Sequence, residues 1–142
     1  NFKSPGQVVI SGKKASVEAA GVRMKEAGVK KVIPLAVSAP FHSPLMRPAA
    51  DKLAGELNKI TFNDAKIPVV ANVTADYATK ESEIKALLVK QVTGAVLWED
   101  SVRKMAADGV ASFVEVGPGK ILSGLISKIC PDIQVGSYVD VS

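Results

Sequence analysis

His42 is the residue whose side-chain type points most directly to acid–base chemistry. It is the only histidine among the 142 residues and stands between an apolar run and a helical pattern, beside Phe41 and Ser43. Imidazole titrates nearest neutrality of all side chains, which makes it the usual general base. A lone histidine beside an aromatic residue is, however, more often simply packed or exposed. On these residues alone both interpretations stay open.

The elements on either side of His42 predict where its ring lies. The apolar run 30–37 predicts a strand, and Pro44 suits the first turn of the helix that apolar spacing predicts over 45–59. In open α/β folds, ligands bind where strands end. We therefore expect the ring at a strand end, within reach of a ligand.

Strand and helix patterns alternate along the rest of the chain. Further strands are predicted over 7–10, 67–73, 111–116 and 135–139, and further helices over 14–27, 81–92, 98–107 and 120–129. This alternation is typical of an α/β fold with a mainly parallel sheet covered by helices. Since aromatic residues make up only 5% of the chain, the core should be aliphatic.

Composition and charge narrow the class of ligand. The chain is 47% hydrophobic and carries a net charge of +4, without a basic run interleaved with aromatic residues. Nucleic-acid binding is therefore disfavoured, and an acidic small molecule or an acidic protein suits the charge better. The single cysteine, Cys130, excludes an internal disulfide, disfavours a metal centre and suits a reducing compartment such as the cytoplasm. No apolar run reaches membrane-spanning length, so no membrane partner is expected.

Two further motifs do not match catalytic patterns. The Gly-Pro-Gly-Lys run at 117–120 lacks the spacing of a P-loop, and no Ser or Thr follows its lysine, so a tight turn is predicted. No serine stands in the Gly-x-Ser-x-Gly frame of α/β enzymes that use a histidine base. If His42 is a base, its nucleophile should come from outside these residues. Glu115, Asp76 or a backbone carbonyl could orient the ring, and spacing does not decide among them.

Several short motifs occur together in a fixed order. They are Ser-Ala-Pro-Phe-His-Ser-Pro-Leu-Met at 38–46, Asn-Val at 72–73, Gln-Val at 91–92, Trp98 with Ser-Val at 101–102, and Glu-Val-Gly-Pro-Gly-Lys at 115–120. Each is weak alone. In this order and at these separations they resemble the C-terminal half of the bacterial malonyl-CoA:acyl-carrier-protein transacylase family, along the whole chain.

The resemblance implies a division of the chain into two parts. Residues 1–34 would form the second half of a ferredoxin-like small subdomain. Residues 35–142 would form the C-terminal part of an α/β-hydrolase-like, parallel-sheet large subdomain. The overall class expected is therefore α/β.

The resemblance also implies a reaction. It is the transfer of a malonyl group from CoA to the phosphopantetheine thiol of acyl carrier protein, in fatty acid biosynthesis, by a ping-pong mechanism. A serine on a nucleophile elbow attacks the thioester, and His42 matches its base. Gln91 matches the residue whose backbone carbonyl orients the other ring nitrogen. No bound cofactor is implied, and malonyl-CoA is the substrate.

Four residues match positions that meet the substrate in the family. Asn1, Gln7 and Lys31 match positions near the cleft for CoA and pantetheine. Phe41 precedes the histidine at a position linked to the choice of acyl group, and its bulk would disfavour a branched chain. Lys3 departs from the family, in which a second Asn is common there, and its cation could instead meet a CoA phosphate.

Further parts of the site are implied outside these residues. In the family, the elbow serine, the arginine that pairs with the malonyl carboxylate and the oxyanion-hole donors lie upstream of the position of Asn1. We therefore expect the N-terminal half of the same protein as a partner, and no activity from these residues alone. Two alternatives remain: a non-catalytic module that docks acyl carrier protein through its lysines, and part of a polyketide-synthase-type acyltransferase domain.

Overall fold

Helices and short strands alternate in the computed structural model, which describes residues 1–139. The helices are α1 (Lys14–Glu26), α2 (Arg47–Leu57), α3 (Glu81–Thr93), α4 (Trp98–Ala107) and α5 (Ile121–Ile129), with a 3-10 turn at Pro44–Met46. The strands are β1 (Phe2–Ser4), β2 (Gln7–Val8), β3 (Val69–Ala71), β4 (Asp76–Ala78), β5 (Ser112–Val116) and β6 (Gln134–Tyr138). All five predicted helices are confirmed, because their apolar residues recur at helical spacing. No helix of residues 1–139 is long and apolar enough to cross a membrane.

Within residues 1–139 the strands form three separate pairs. β5 and β6 are parallel, with Ser112 opposite Gln134, and α5 is the crossover that parallel pairing requires. β1 with β2, and β3 with β4, are antiparallel hairpins. The α/β class is confirmed, but the expected mainly parallel sheet is not found within residues 1–139. Because only a few residues separate the strands of each hairpin, they can pair only in antiparallel fashion.

The strand predicted over 30–37 is wrong. These residues form no ladder with any other residue of the described part of the chain. Ile33, Leu35 and Val37 are 59%, 56% and 62% exposed. An apolar, β-branched composition favours a strand only where a neighbouring strand supplies its hydrogen bonds.

A cluster of aliphatic side chains holds α4 and α5 against the β5–β6 pair. Val102, Ile126 and Ile129 are buried at its centre. Partly buried residues pack around them: Trp98, Met105, Phe113, Cys130 and Val135. The expected aliphatic core is confirmed, and Cys130 packs against it as a small, partly buried side chain. This cluster fixes α5, one face of which also reaches the site described next.

Candidate active site

His42 has an unusual backbone conformation that neighbouring hydroxyl groups support. Its φ is 57°, in the left-handed region that non-glycine residues rarely adopt. The hydroxyl of Ser43, which is only 4% exposed, donates to the Pro40 carbonyl at 2.7 Å. The hydroxyl of Ser11 donates to the Phe41 carbonyl at 2.6 Å. Strained residues of this kind persist where the surroundings over-determine them, and they concentrate at functional sites.

The ring of His42 is held by the C-terminal end of α3. Nδ1 lies 3.0 Å from the backbone carbonyl oxygen of Gln91. Gln91 is in the last turn of α3, where carbonyl groups lack an intrahelical N–H partner. Because a carbonyl only accepts, Nδ1 carries the proton and donates it. In the neutral ring, Nε2 is then left with its lone pair, which is the state a general base needs.

The side chain of Gln91 braces the loop that follows α3. Its Nε2 donates to the carbonyls of Gly94 and Ala95 at 3.4 and 3.3 Å. The same nitrogen is 3.5 Å from Nδ1 of His42. Two N–H donors cannot bond to each other, so the Gln91 carbonyl is the partner of the ring. The backbone of Gln91 therefore orients His42, and its side chain fixes the turn that carries this carbonyl.

His42 and Gln91 lie in one pocket of about 310 Å³. Polar groups and an apolar wall both contribute to its lining: Lys3, His42, Asn72, Gln91, Val96, Trp98, Leu122 and Leu125. No Asp or Glu of residues 1–139 lines this pocket. Its volume is at the lower end of small-molecule sites, which span about 300–1,000 Å³. The pocket therefore suits a short, polar group placed beside the imidazole.

The four expected substrate-contacting residues lie outside this lining. Asn1 accepts a hydrogen bond from the Val96 N–H at 2.9 Å, so it supports a pocket residue. Gln7 is exposed and accepts from the Ser4 hydroxyl at 3.2 Å. Lys31 and Phe41 are exposed. The structure thus brings His42 and Gln91 together but places these four around the pocket, not within it.

Neither carboxylate considered as a partner for His42 hydrogen-bonds to it. Glu115 is buried and accepts from the Ser123 hydroxyl at 2.6 Å and from the N–H groups of Ser123 and Leu122. The Ser123 hydroxyl and these N–H groups hold the pKa of Glu115 below its usual range. Glu115 therefore caps the start of α5. Asp76 is exposed and lies 3.7 Å from Lys104 Nζ. Of the three orienting groups, only a backbone carbonyl contacts the ring.

Sequence reasoning named Lys3 only as a cation that could meet a CoA phosphate, and it missed several other pocket residues. Lys3 lies on β1, a strand that was not predicted, and Phe2 beside it forms a parallel bridge with Leu97. Asn72 was noted only as part of a motif, and Leu122 and Leu125 only as core residues of a helix. The sequence offered one sign that Lys3 belongs to the site, its charge, because Lys3 is a cation in an otherwise uncharged run at the start of the chain. Its approach to His42 depends on a tertiary contact that no local pattern encodes.

Comparisons with known proteins point to one family. The acyl transferase domain model matches residues 2–131. The malonyl CoA-acyl carrier protein transacylase of Escherichia coli is 54% identical over 142 residues, all of this chain and 46% of that protein. An acyl carrier protein S-malonyltransferase structure from Vibrio cholerae has a TM-score of 0.95 and 47% identity, over 99% of this chain and 46% of that one.

A further similar structure shows a malonyl-transacylase in complex with its type II PKS acyl-carrier protein. Its TM-score is 0.82 at 40% identity, and the match covers 91% of this chain and 41% of that one. The chain spans about half the length of the curated relatives it matches.

Proposed function

The chain belongs to the acyl transferase domain family, and on that premise we propose that it carries the general base of a malonyl-CoA:acyl-carrier-protein transacylase. The observation that carries this proposal is the hydrogen bond from His42 Nδ1 to the Gln91 carbonyl, inside a pocket of short-acyl size. The names of the relatives supply the substrate class: malonyl-CoA and acyl carrier protein. The role proposed for this reaction is in fatty acid biosynthesis.

In the first half-reaction, His42 activates a serine. Nε2 removes the serine proton as its oxygen attacks the thioester carbonyl of malonyl-CoA. The tetrahedral intermediate collapses, the carbon–sulfur bond breaks, and the imidazolium passes its proton to the departing CoA sulfur. The products are free CoA and a malonyl ester on the serine.

In the second half-reaction, the same ring works in the opposite direction. Nε2 takes the proton of the phosphopantetheine thiol as its sulfur attacks the malonyl-serine ester. When the ester bond breaks, the imidazolium returns a proton to the serine oxygen. The malonyl group leaves as a thioester of acyl carrier protein, and the site is restored without a bound cofactor.

The Gln91 carbonyl takes the place that a carboxylate has in a catalytic triad. It fixes the ring and its tautomer, and it belongs to a helix C-terminus, which carries a partial negative charge. That charge stabilises the imidazolium as it forms. A neutral carbonyl stabilises it less than a carboxylate would, and the first half-reaction needs less of this stabilisation because a thiolate is a good leaving group.

The serine is proposed to lie on the N-terminal half of the same protein. Among residues 1–139, no group hydrogen-bonds to His42 Nε2, and the neighbouring Ser43 hydroxyl is committed to the Pro40 carbonyl. An arginine for the malonyl carboxylate and the oxyanion donors are assigned to that half as well. These residues alone are then inactive.

The arrangement of subdomains is part of the proposal. Residues 1–34 contain a hairpin and α1, which suits half of a ferredoxin-like subdomain, and residues 35–142 belong to the α/β-hydrolase-like one. The Phe2 N–H donates to the Val96 carbonyl at 2.8 Å, which ties the first part to the second. Asn1, Gln7, Lys31 and Phe41 are proposed to contact CoA or pantetheine along the rim of the pocket.

Malonyl transfer by the full-length protein tests this function. In that protein we expect His42→Ala to lower the rate of transfer from malonyl-CoA to acyl carrier protein by about 10²–10⁴-fold. Lys66→Met, an exposed lysine outside the pocket, is the matched control. A His42→Ala enzyme with the wild-type rate would exclude His42 as the base.

A polyketide-type acyltransferase is the second candidate. The similarity to a malonyl-transacylase bound to a type II PKS acyl-carrier protein favours it. The chemistry is the same, and only the carrier differs. Comparing transfer rates to a fatty-acid and a polyketide acyl carrier protein separates the two, because the physiological carrier should give the higher kcat/KM.

A further inference from the structure

We propose that Leu122 is a specificity-determining residue for acyl transfer, and that Glu115 is the positioning residue that holds Leu122 in the His42 pocket. This inference rests on the proposed function. Leu122 packs against the carbon next to the thioester carbonyl and excludes acyl groups that carry a methyl branch there.

Leu122 and Leu125 are the part of the pocket wall that α5 contributes. They are three positions apart on a helix, so their side chains lie on one face. Leu125 is only 8% exposed, whereas Leu122 is 40% exposed. Leu125 therefore closes the wall from behind, and Leu122 is the leucine that an acyl group entering the pocket contacts.

A buried carboxylate fixes the turn of α5 that carries Leu122. Glu115 lies on β5, and its Oε1 accepts from the Leu122 N–H at 3.1 Å. Its Oε2 accepts from the Ser123 N–H at 2.9 Å and from the Ser123 hydroxyl at 2.6 Å. Lys120, the N-cap residue of α5, makes no side-chain capping hydrogen bond within residues 1–139. Glu115 therefore satisfies the start of the helix from the neighbouring strand, and it bonds the backbone of Leu122 directly.

The strand and the turn next to Glu115 are themselves fixed. β5 pairs with β6 along its whole length, and the Gly117 N–H donates to the Tyr138 carbonyl at 3.0 Å. Gly117 and Gly119 have φ values of 120° and 96°, which favour glycine and let the chain fold back onto Glu115. The Gly-Pro-Gly-Lys turn thus brings the start of α5 onto the carboxylate, and the position of Leu122 follows from it.

Phe41, the residue that the sequence pointed to for the choice of acyl group, is less well placed for this role. It is 49% exposed and lies outside the lining of the pocket, although it precedes His42. Leu122 lies within that lining. One methylene more or less against an apolar wall changes kcat/KM by about 10-fold to 200-fold, so a single leucine is enough to discriminate against a branch.

The experiment measures kcat/KM of the full-length protein with malonyl-CoA and with methylmalonyl-CoA. Leu122→Ala shortens the wall, and we expect it to reduce the preference for malonyl-CoA by about tenfold. Phe41→Ala should change this preference less, and Lys66→Met, an exposed lysine outside the pocket, is the control. An unchanged preference in Leu122→Ala, or a larger change in Phe41→Ala, would overturn the assignment of Leu122.

Glu115→Gln tests the positioning role. The glutamine amide keeps one acceptor oxygen, but its NH₂ group would face an N–H donor of α5. We expect the preference for malonyl-CoA to fall by about threefold to tenfold. Because Glu115 acts through Leu122, adding Glu115→Gln to Leu122→Ala should change the preference no further. The exposed Glu83→Gln is the matched control.

The ratio of the two kcat/KM values does not depend on how much of a variant is folded, so a loss of stability alone leaves it unchanged. If Glu115→Gln yields too little folded protein, Ser123→Ala removes one of the three hydrogen bonds and should shift the ratio in the same direction. Additive effects of Glu115→Gln and Leu122→Ala, or a wild-type ratio in Glu115→Gln, would show that Glu115 does not act through Leu122. Failure of the proposed function is distinct, because the wild-type protein would then transfer no malonyl group at all.

Discussion

The imidazole of His42 and the backbone carbonyl of Gln91 lie 3.0 Å apart although 49 positions separate them along the chain. One residue sits in a strained loop and the other at the end of α3. A backbone carbonyl cannot be removed by substitution, so a change of the Gln91 side chain preserves this acceptor. Substitutions can therefore test the site through the side chains that position the imidazole and the carbonyl, which are those of Ser43 and Gln91.

The Gln91 side chain gives the first prediction. Gln91→Leu keeps the backbone carbonyl but removes the amide that donates to Gly94 and Ala95. We expect kcat for malonyl transfer to fall by roughly fivefold with a smaller change in KM, because a neutral hydrogen bond contributes about 1 kcal/mol. Steady-state kinetics measure this, and Lys90→Met on the same helix is the control. If Gln91→Leu kept the wild-type kcat, the hydrogen bonds of the Gln91 amide would not be needed to position the carbonyl.

The loop that carries His42 gives the second prediction. Ser43→Ala leaves the Pro40 carbonyl without its donor inside the protein. We expect a loss of about 1–3 kcal/mol in unfolding free energy, together with a lower kcat. Denaturant unfolding and transfer assays are compared with those of Ser82→Ala, an exposed serine on α3. Unchanged stability would mean that the loop does not depend on this hydrogen bond.

Acid sensitivity gives the third prediction. The pKa of Glu115 is lowered in the folded protein by the Ser123 hydroxyl and nearby N–H groups. A lowered folded pKa contributes stability above the unfolded pKa of the carboxyl, and this contribution is lost as pH falls through the folded pKa. Between neutral and acidic pH, Glu115→Gln should therefore lose less stability than the wild type does. Unfolding free energies measured across that range test it, with the exposed Glu83→Gln as control; parallel pH profiles for all three proteins would contradict it.

The core between α4 and α5 gives the fourth prediction. Val102 is fully buried, at 0% exposure, at the centre of that cluster. We expect Val102→Ala to cost about 2 kcal/mol of unfolding free energy, through lost burial and a small cavity. Val22→Ala, at a residue that is 57% exposed on α1, should cost much less. If both substitutions lowered the unfolding free energy equally, Val102 would not lie at the centre of the core.

How much the sequence could predict differs between helices, strands and the pocket. Apolar residues at helical spacing marked α1 to α5, since this periodicity depends on neighbours along the chain. β1 and β4 have three residues each, too few to show alternation. The segment 30–37 has the composition of a strand, but a ladder needs a partner. The approach of Lys3 to His42 depends on the bridge between Phe2 and Leu97, which has no local signature.

The segment 30–37, which pairs with no strand of the described residues, affects how the chain behaves in solution. Ile33, Leu35 and Val37 alternate with other residues, and all three are more than half exposed. The Val37 N–H donates to the Leu35 carbonyl at 2.9 Å, and no other backbone–backbone hydrogen bond involves 31–37 within the described residues. An apolar row with unpaired backbone groups is a template for intermolecular β-pairing. Residues 1–142 produced alone should therefore form concentration-dependent aggregates, which light scattering would detect. A lysine at position 35, as in Leu35→Lys, should suppress them without any change at the imidazole.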